Sequence, residues 1–399
     1  MRTPAPVRRH ILSLLSFGGF ILLGWNAVLL PSLIGSVERD FRQSDAGFGL
    51  FYLLSALLYA GGSFGGGFLA ERLGRRGVLF AAALLMGLGL AGEALAPAWA
   101  VFLLAALFVN WGAGAIDGGL NGLFLDLYQE ARGGALNRLH LFFGLGALVA
   151  PALVGQLVTF GLNWRVLLLA TGVAALALAT FLAANAMPSG RHTELTEKPA
   201  EPLSRAERSL LPFAGLAVGI GCYVAAEMAV SGWLVKALLP VPLATATAVL
   251  SVFWFGLSLG RLVSNWVADR FDYVAFTVGC LLLASTALIV AVLIPLLTLA
   301  ALCYGLAGFF YGPVYPMIMA IGGNVYPRRL AALSGSLAGA AVVGSIAYPP
   351  LVGLLASHIG LRAGLVGAGL IGIPGALAII AARTAVHRLE GADIPTTVC

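Results

Sequence analysis

Polar residues recur at helical spacing inside one apolar stretch of the chain, residues 98–124. They are Asn110, Gly114, Asp117 and Asn121. Their steps of four, three and four residues place all of them on one face of a helix. An ionisable side chain within an apolar helix is costly, so Asp117 is a candidate for solute contact and proton exchange. The alternative is a structural acid that pairs with a neighbouring helix.

A second polar stripe follows in residues 210–236. Its members are Tyr223, Glu227, Ser231 and Trp233. The remaining candidates for solute binding are Trp25, Asn26, Tyr311 and Tyr315. Carboxylates and amides hydrogen-bond hydroxyl groups, and aromatic planes cover apolar faces, so this set suits an uncharged polar ligand such as a sugar. Asp117 and Glu227 are the candidates for proton coupling, because buried carboxylates are frequent proton-exchange sites.

The composition indicates which elements hold these residues. The chain has 399 residues, of which 60% are hydrophobic and 10% are charged, and its mean hydropathy is +0.97. These charges are too few for the surface of a water-soluble protein of this size. Twelve apolar runs approach the roughly 20 residues that cross a bilayer. They are about 11–34, 46–70, 77–95, 98–124, 137–161, 164–186, 210–236, 244–268, 272–293, 296–321, 331–357 and 362–383.

The sequence therefore predicts an all-α integral membrane protein of twelve transmembrane helices, since backbone groups in lipid must be satisfied within each helix. Most Lys and Arg residues fall on the side of the N-terminus, which predicts that both termini are cytoplasmic and that the protein lies in the cell membrane. The net charge of +6 is explained by this orientation, so no nucleic-acid partner is expected. No metal or cofactor is predicted.

Residues 187–209 form the longest polar stretch and predict a cytoplasmic linker between an N-terminal bundle, 1–186, and a C-terminal bundle, 210–399. The halves repeat, because Pro-Ala-Leu-Val-Gly at 151–155 returns as Pro-Pro-Leu-Val-Gly at 349–353. Each half then holds six helices, and the two bundles are expected to be pseudo-symmetric. Duplication with an even number of helices per half is typical of parallel-repeat transporters.

A glycine-rich and charged turn follows the second run, with a weaker partner after the eighth. The first contains Gly67, Leu69, Ala70, Glu71, Arg72, Gly74, Arg75 and Arg76, and the second contains Asp269 and Arg270. The first turn resembles the signature of the major facilitator superfamily, with Glu71 in place of the usual Asp. The resemblance implies a monomeric carrier whose first, fourth, seventh and tenth helices line a cavity. We interpret these charges as a cytoplasmic gate, and Gly61, Gly62, Gly65, Gly66 and Gly67 as a close-packing face.

A finer resemblance concerns the sugar-transporter branch that includes fucose permease-like proteins. It is carried by Asp117-Gly-Gly-Leu-Asn121, by residues 139–146, and by Tyr223 and Glu227 before Gly232-Trp233. The resemblance implies that Asp117 contacts substrate and takes part in proton symport. The chain departs from that branch in its first run, which contains Asn26 but no acid.

The expected function is thus secondary active or facilitative transport of a small polar solute, a sugar in the first instance, by alternating access. A drug or amphipath exporter is the alternative, and a membrane-embedded enzyme or scaffold is less favoured, because no catalytic motif is present. Nucleotide-driven pumping is disfavoured for the same reason. Arg261 is left outside the solute-binding set as a packing or gating residue, and Glu93 is expected to reach the membrane interface.

Overall fold

The computed structural model describes residues 9–128, 132–188, 204–327 and 330–391, and these residues are almost entirely helical. The helices are α1 (Arg9–Phe41), α2 (Asp45–Leu73), α3 (Arg75–Leu95), α4 (Trp99–Leu127), α5 (Arg132–Thr159), α6 (Trp164–Ala184), α7 (Arg205–Arg208), α8 (Leu210–Ala237), α9 (Leu243–Val267), α10 (Tyr273–Leu293), α11 (Leu297–Tyr311), α12 (Val314–Val325) and α13 (Leu330–Gly391). A short 3-10 turn, Ala268–Arg270, follows α9.

Eleven segments of the described chain are long and apolar enough to cross a membrane. The last of them, Leu333–Leu389, contains two helices, because Gly360 has a φ of +78° and interrupts α13. Helices α11 and α12 together form one span, Leu297–Val325, with the break at Gly312 and Pro313. The prediction of twelve transmembrane helices in two groups of six is confirmed.

The helix ends follow from local chemistry. Helix α2 starts after Ser44, whose hydroxyl accepts a hydrogen bond from the Gly47 amide. It ends at Gly74, whose φ of +90° is a conformation that side chains with a Cβ rarely adopt. Helix α6 starts after Asn163, and α10 starts after Asp272, each with the same kind of side-chain cap. These caps fix the short turns that join the spans.

The chain divides into two compact units. The first holds α1 to α6 together with the segment Val235–Ser251, and the second holds the rest of α8 and α9 with α10 to α13. The segment Val235–Ser251 covers the end of α8 and the first part of α9. Its place is explained by contacts in the first unit, where Lys236 pairs with Glu38 and Asp45 and the Ser251 hydroxyl donates to the Leu148 carbonyl.

Glycines bring helices α2 and α4 close together in the first unit. A Cβ added to Gly66 would lie 2.8 Å from the Cα and Cβ atoms of Ala115, and one added to Gly118 would lie 2.5 Å from the Ser63 carbonyl oxygen. Gly61 and Gly67 have open space instead. Only part of the predicted small-residue face therefore packs against α4, and that part sets the distance between two polar stripes.

Candidate functional site

The polar stripe of α4 meets a second polar stripe on α2. The Asn121 amide donates to the Asp117 carboxylate at 3.0 Å, and the Asn110 amide donates to the Ser55 hydroxyl at 3.1 Å. The Tyr59 hydroxyl lies within hydrogen-bonding reach of the Asp117 carboxylate. Asp117 and its neighbours are half-buried, so this face of α4 is partly open. The groups placed around the Asp117 carboxylate are thus neutral donors.

Sequence reasoning missed Tyr59 and Ser55. The signal was present, because Ser55, Tyr59 and Ser63 stand four residues apart and so share one face of α2. The adjacent glycines indicate helix packing, which is a second role for the same face of α2. In the structure this face of α2 both packs against α4 and presents polar groups to it, since the glycines allow the close approach that brings Tyr59 to Asp117.

The second unit contains a different cluster, in which an acid meets a cation. Glu227 of α8 is 5% exposed, and Tyr223, one turn earlier, is fully buried. The Tyr223 hydroxyl lies within hydrogen-bonding reach of both the Glu227 carboxylate and the Arg261 guanidinium of α9. The ring of Tyr223 lies 5.7 Å from that of Tyr311 and 6.5 Å from that of Tyr315. Arg261, which sequence reasoning left out, is therefore part of the candidate site.

Some buried polar atoms on α4, α8 and α9 of the described chain have no hydrogen bond, namely the side-chain oxygen of Asn121 and the hydroxyls of Ser231 and Ser258. The Tyr311 and Ser285 hydroxyls lie within hydrogen-bonding reach of each other, and the Tyr223 hydroxyl lies within reach of Glu227 and Arg261. Buried polar groups in native proteins are almost always paired, because an unpaired one carries its full desolvation cost. Asn121 follows Asp117 by one turn of α4 and Ser231 follows Glu227 by one turn of α8, so each lies on the same helix face as a candidate carboxylate.

The other candidate solute contacts have structural partners. The Trp25 indole donates to the Thr171 hydroxyl of α6 at 3.0 Å. The Trp233 indole is fully buried and donates to the Pro349 carbonyl in α13 at 2.8 Å. Asn26 is half-buried on α1.

The predicted cytoplasmic gate contains an ion pair within the first unit. Arg75, at the start of α3, is 9% exposed and its guanidinium lies 2.6 Å from the Asp126 carboxylate near the end of α4. The Arg72 guanidinium lies over the Phe68 ring at 4.2 Å, while Arg76 and Arg270 are exposed. A Cβ added to Gly67 would have nothing within 4 Å, so space does not require glycine there. Gly74 is required by its positive φ of +90°. The side chains of Glu71 and Asp269, and residues 189–203 of the predicted linker, lie outside the described part.

The expectation for Glu93 is wrong. Its side chain is fully buried rather than interfacial, and both carboxylate oxygens lack a hydrogen-bond partner. Helix α3 is covered on this side by α4 and α6, where Gly89 packs against Val109. The C-terminal end of α3 is closed by Arg165, whose guanidinium donates to the Ala94 and Ala96 carbonyls. Glu93 therefore lies beneath that cap.

In the part of the chain that the structure describes, twelve membrane-spanning helices in two units define a multi-pass membrane protein. Residues 15–241 match the sequence profile of the Major Facilitator Superfamily, which is more than half of the chain. The chain belongs to this superfamily of transporters.

Two relatives are similar in sequence. One is the uncharacterised MFS-type transporter YfkL of Bacillus subtilis (strain 168), 23% identical over 362 residues, which cover 86% of this chain and 88% of YfkL. The other is an uncharacterised 38 kDa protein in the 23S RNA operon of Thermoproteus tenax, 32% identical over 167 residues. That match covers 39% of this chain and 41% of the relative.

Solved transporters share the fold. A bacterial homolog of the human lysosomal transporter Spinster, in an inward-facing and unoccupied conformation, has a TM-score of 0.78 at 19% identity and covers 95% of this chain and 98% of its own. A D-xylose-proton symporter has a TM-score of 0.69 at 15% identity, with 94% and 97% covered. A mutant form of the nucleoside transporter NupG has a TM-score of 0.73 at 14% identity, with 94% and 99% covered. At these identities the likeness shows the fold alone.

Proposed function

We propose that this transporter carries a small, uncharged, polyhydroxylated solute, a sugar in the first instance, across the cell membrane by alternating access. The observation that carries the proposal is the cluster of buried polar side chains formed by Tyr223, Glu227 and Tyr311, with Arg261 beside Tyr223. A ligand with several hydroxyl groups can donate to and accept from such a set, whereas an apolar ligand would leave them unpaired.

The second support comes from the Asp117 cluster. Asp117 and Asn121 offer acceptors, and Tyr59 offers a phenol ring whose face can cover the apolar side of a sugar. The D-xylose and nucleoside transporters among the structural neighbours carry solutes with hydroxyl groups, which agrees with the proposal. Asn26, Asn110 and Tyr315 remain proposed solute contacts, and Trp25 and Trp233 are proposed to act through the helices to which they are bonded.

Transport is proposed to be coupled to protons, with Asp117 and Glu227 as the candidate carriers of the proton. The charged turn at Arg72, Arg75 and Arg76 is proposed as the cytoplasmic gate, together with Gly67, Glu71, Gly74, Asp269 and Arg270. Both termini are proposed to be cytoplasmic and the protein to be a monomer, divided at 1–186, 187–209 and 210–399.

A thermal-shift screen of the purified protein in detergent tests the solute class. Monosaccharides, disaccharides, nucleosides and cationic amphipaths are added separately, because a ligand that binds the folded state raises the melting temperature by mass action. A shift with a monosaccharide or nucleoside supports the proposal. A shift with cationic amphipaths alone would instead assign the protein to drug or amphipath export.

The solute found in the screen is then used in reconstituted vesicles. Asp117→Asn is expected to abolish solute-driven proton uptake, and the matched control is Asp272→Asn, whose carboxylate pairs with Arg383 on the exposed surface. Arg76→Ala is expected to slow transport while equilibrium binding stays within a few-fold, as a gate residue requires. Equal proton uptake in Asp117→Asn and the control would contradict proton coupling through Asp117.

A further inference from the structure

The first copy of the repeated proline motif, residues 151–155, lies inside α5 and interrupts the hydrogen-bond ladder of that helix. Pro151 has no amide hydrogen, so the Ala147 carbonyl has no donor four residues further along. The next pair of the ladder consists of the Leu148 carbonyl and the Ala152 amide. Both of these groups bond to one atom of another helix, the hydroxyl oxygen of Ser251 on α9.

The Ser251 hydroxyl donates to the Leu148 carbonyl at 2.7 Å and accepts from the Ala152 amide at 3.0 Å. It therefore lies between two groups that a regular α-helix joins directly to each other. One turn earlier on α9, Thr247 packs so closely on α5 that a Cβ added to Gly155 would overlap the Thr247 hydroxyl. Residues 247 and 251 thus form one face of α9 that lies along the motif.

Each of the three bonded groups has a second partner within its own helix. The Leu148 carbonyl and the Ala152 amide are four residues apart and can bond to each other. A serine hydroxyl in a helix can donate to the carbonyl four residues earlier, which for Ser251 is that of Thr247. The Thr247 hydroxyl already bonds in this way, to the Leu243 carbonyl at 2.9 Å. Separation of α9 from α5 here therefore leaves none of the three groups unpaired, which in lipid would be costly.

The second copy of the motif, residues 349–353, has a different kind of partner. The Trp233 indole of α8 donates to the Pro349 carbonyl at 2.8 Å, and both residues belong to the second unit. An indole N–H is a donor only, so it cannot lie between a donor and an acceptor as a hydroxyl does. Ser251, in contrast, ends the part of α9 that belongs to the first unit, and α9 continues from Val252 in the second.

We propose that the Ser251 hydroxyl is an exchangeable partner of α5, which bonds to Leu148 and Ala152 in this conformation and withdraws when the transporter changes conformation. Because α9 belongs to the first unit up to Ser251 and to the second unit beyond it, a conformational change of the transporter acts on this contact. The proposal rests on the proposed function only for alternating access. Ser251 acts through the backbone of α5 and is a positioning residue.

Distances between two spin labels test the proposal without any solute. The labels are attached at positions 162 and 296, exposed residues in the turns after the fifth and ninth spans, in a background whose native cysteines are replaced by alanine. Ser251→Ala is expected to change the ratio of the distance populations by roughly 2- to 10-fold relative to the parent, the range that corresponds to one hydrogen bond.

Thr247→Val is the matched control. It removes a hydroxyl from the same face of α9, one turn earlier, and that hydroxyl bonds to the Leu243 and Ala244 carbonyls of its own helix. The side chain keeps its shape, so the contact with Gly155 is retained. The population ratio in Thr247→Val is expected to stay within about 2-fold of the parent, because no bond to α5 is lost.

The melting temperature in detergent distinguishes an exchangeable bond from a permanent one. If the Leu148 carbonyl and the Ala152 amide pair with each other when the hydroxyl is removed, Ser251→Ala should melt less than about 3 °C below the wild type. If they cannot pair, two buried backbone groups lose their partner and the loss should be larger. A purely structural role for Ser251 predicts this larger loss together with an unchanged population ratio.

Three results would overturn the proposal. They are an unchanged population ratio in Ser251→Ala, an equal change in Thr247→Val, and a loss of more than about 3 °C in the melting temperature of Ser251→Ala. Failure of Ser251→Ala to fold counts as the third result, because it would show that α5 cannot do without the hydroxyl. Neither measurement uses a solute, so a negative solute screen refutes the proposed function without affecting them.

Discussion

Replacing Gly66 by alanine is expected to weaken the contact between α2 and α4. An added Cβ would lie 2.8 Å from the Cα and Cβ atoms of Ala115, and ordinary contact begins at 3.4 Å, so the helices must separate by about 0.6 Å. Because both neighbouring atoms are close to the backbone, a side-chain rotation cannot relieve the overlap. Overpacking of this kind costs about 1–3 kcal/mol.

Gly61→Ala is the matched control. Gly61 lies on the same helix, is exposed, and has nothing within 4 Å of an added Cβ. Both substitutions gain the same helix propensity, about 1 kcal/mol at most, so that contribution cancels when the two variants are compared. The difference between them is then the overpacking cost alone, and it should lower the melting temperature of Gly66→Ala by roughly 2–8 °C relative to Gly61→Ala.

The assay is thermal unfolding in detergent, followed by intrinsic tryptophan fluorescence. The same variants are then tested for solute binding, because separation of α2 from α4 also moves Tyr59 away from Asp117. Gly66→Ala is expected to bind more weakly than Gly61→Ala. Equal melting temperatures for the two variants would refute the glycine contact as the feature that sets this helix spacing.

Three further predictions follow from single contacts in the first unit. Glu93→Leu is expected to raise the free energy of unfolding by about 1–3 kcal/mol in denaturant titrations, since it removes a fully buried acid without a partner; destabilisation would show that Glu93 is satisfied in the folded protein. Arg75→Gln is expected to lower the free energy of unfolding by about 1.5–3 kcal/mol, and the double variant with Asp126→Asn should recover part of that loss. Strictly additive losses in the double variant would exclude the ion pair. Tyr59→Phe is expected to lower the free energy of unfolding by about 0.5–1.5 kcal/mol. It should change the pH dependence of the melting temperature in the wild type but not in Asp117→Asn. An unchanged pH dependence in the wild type would show that Tyr59 does not bond to Asp117.

Hydropathy and run length were sufficient to predict the membrane-spanning helices, because lipid imposes one length and one backbone structure on every span. The residues at which the helices end were less predictable from the sequence. The first run was expected to end near residue 34, yet α1 continues to Phe41. Its last turns are stabilised by contacts far along the chain, among them the pairing of Glu38 with Lys236, and no local pattern contains that information.

The candidate site could be predicted only within single helices. The four-residue steps on α4 and α8 correctly placed Asp117 with Asn121 and Tyr223 with Glu227. Tyr59 and Arg261 come from neighbouring helices, and their approach depends on the rotation that close glycine contacts impose. Glu93 was misplaced for the same reason, because burial at the end of a span depends on the helices that cover it.

The Asp117 cluster gives opposite pH dependences for the two candidate classes of solute. The groups bonded to the Asp117 carboxylate, the Tyr59 hydroxyl and the Asn121 amide, are neutral, so the charge of this cluster changes with the protonation of Asp117 alone. A neutral sugar meets no unbalanced charge when Asp117 is protonated, and its affinity should fall as pH rises. A cationic amphipath gains from an ionised Asp117, and its affinity should rise with pH. Isothermal titration of the best ligand of each class between pH 5 and 8 measures the sign, and Asp117→Asn should remove the dependence in both cases. A sugar that binds more tightly at high pH would contradict the assignment of Asp117 as the protonated group.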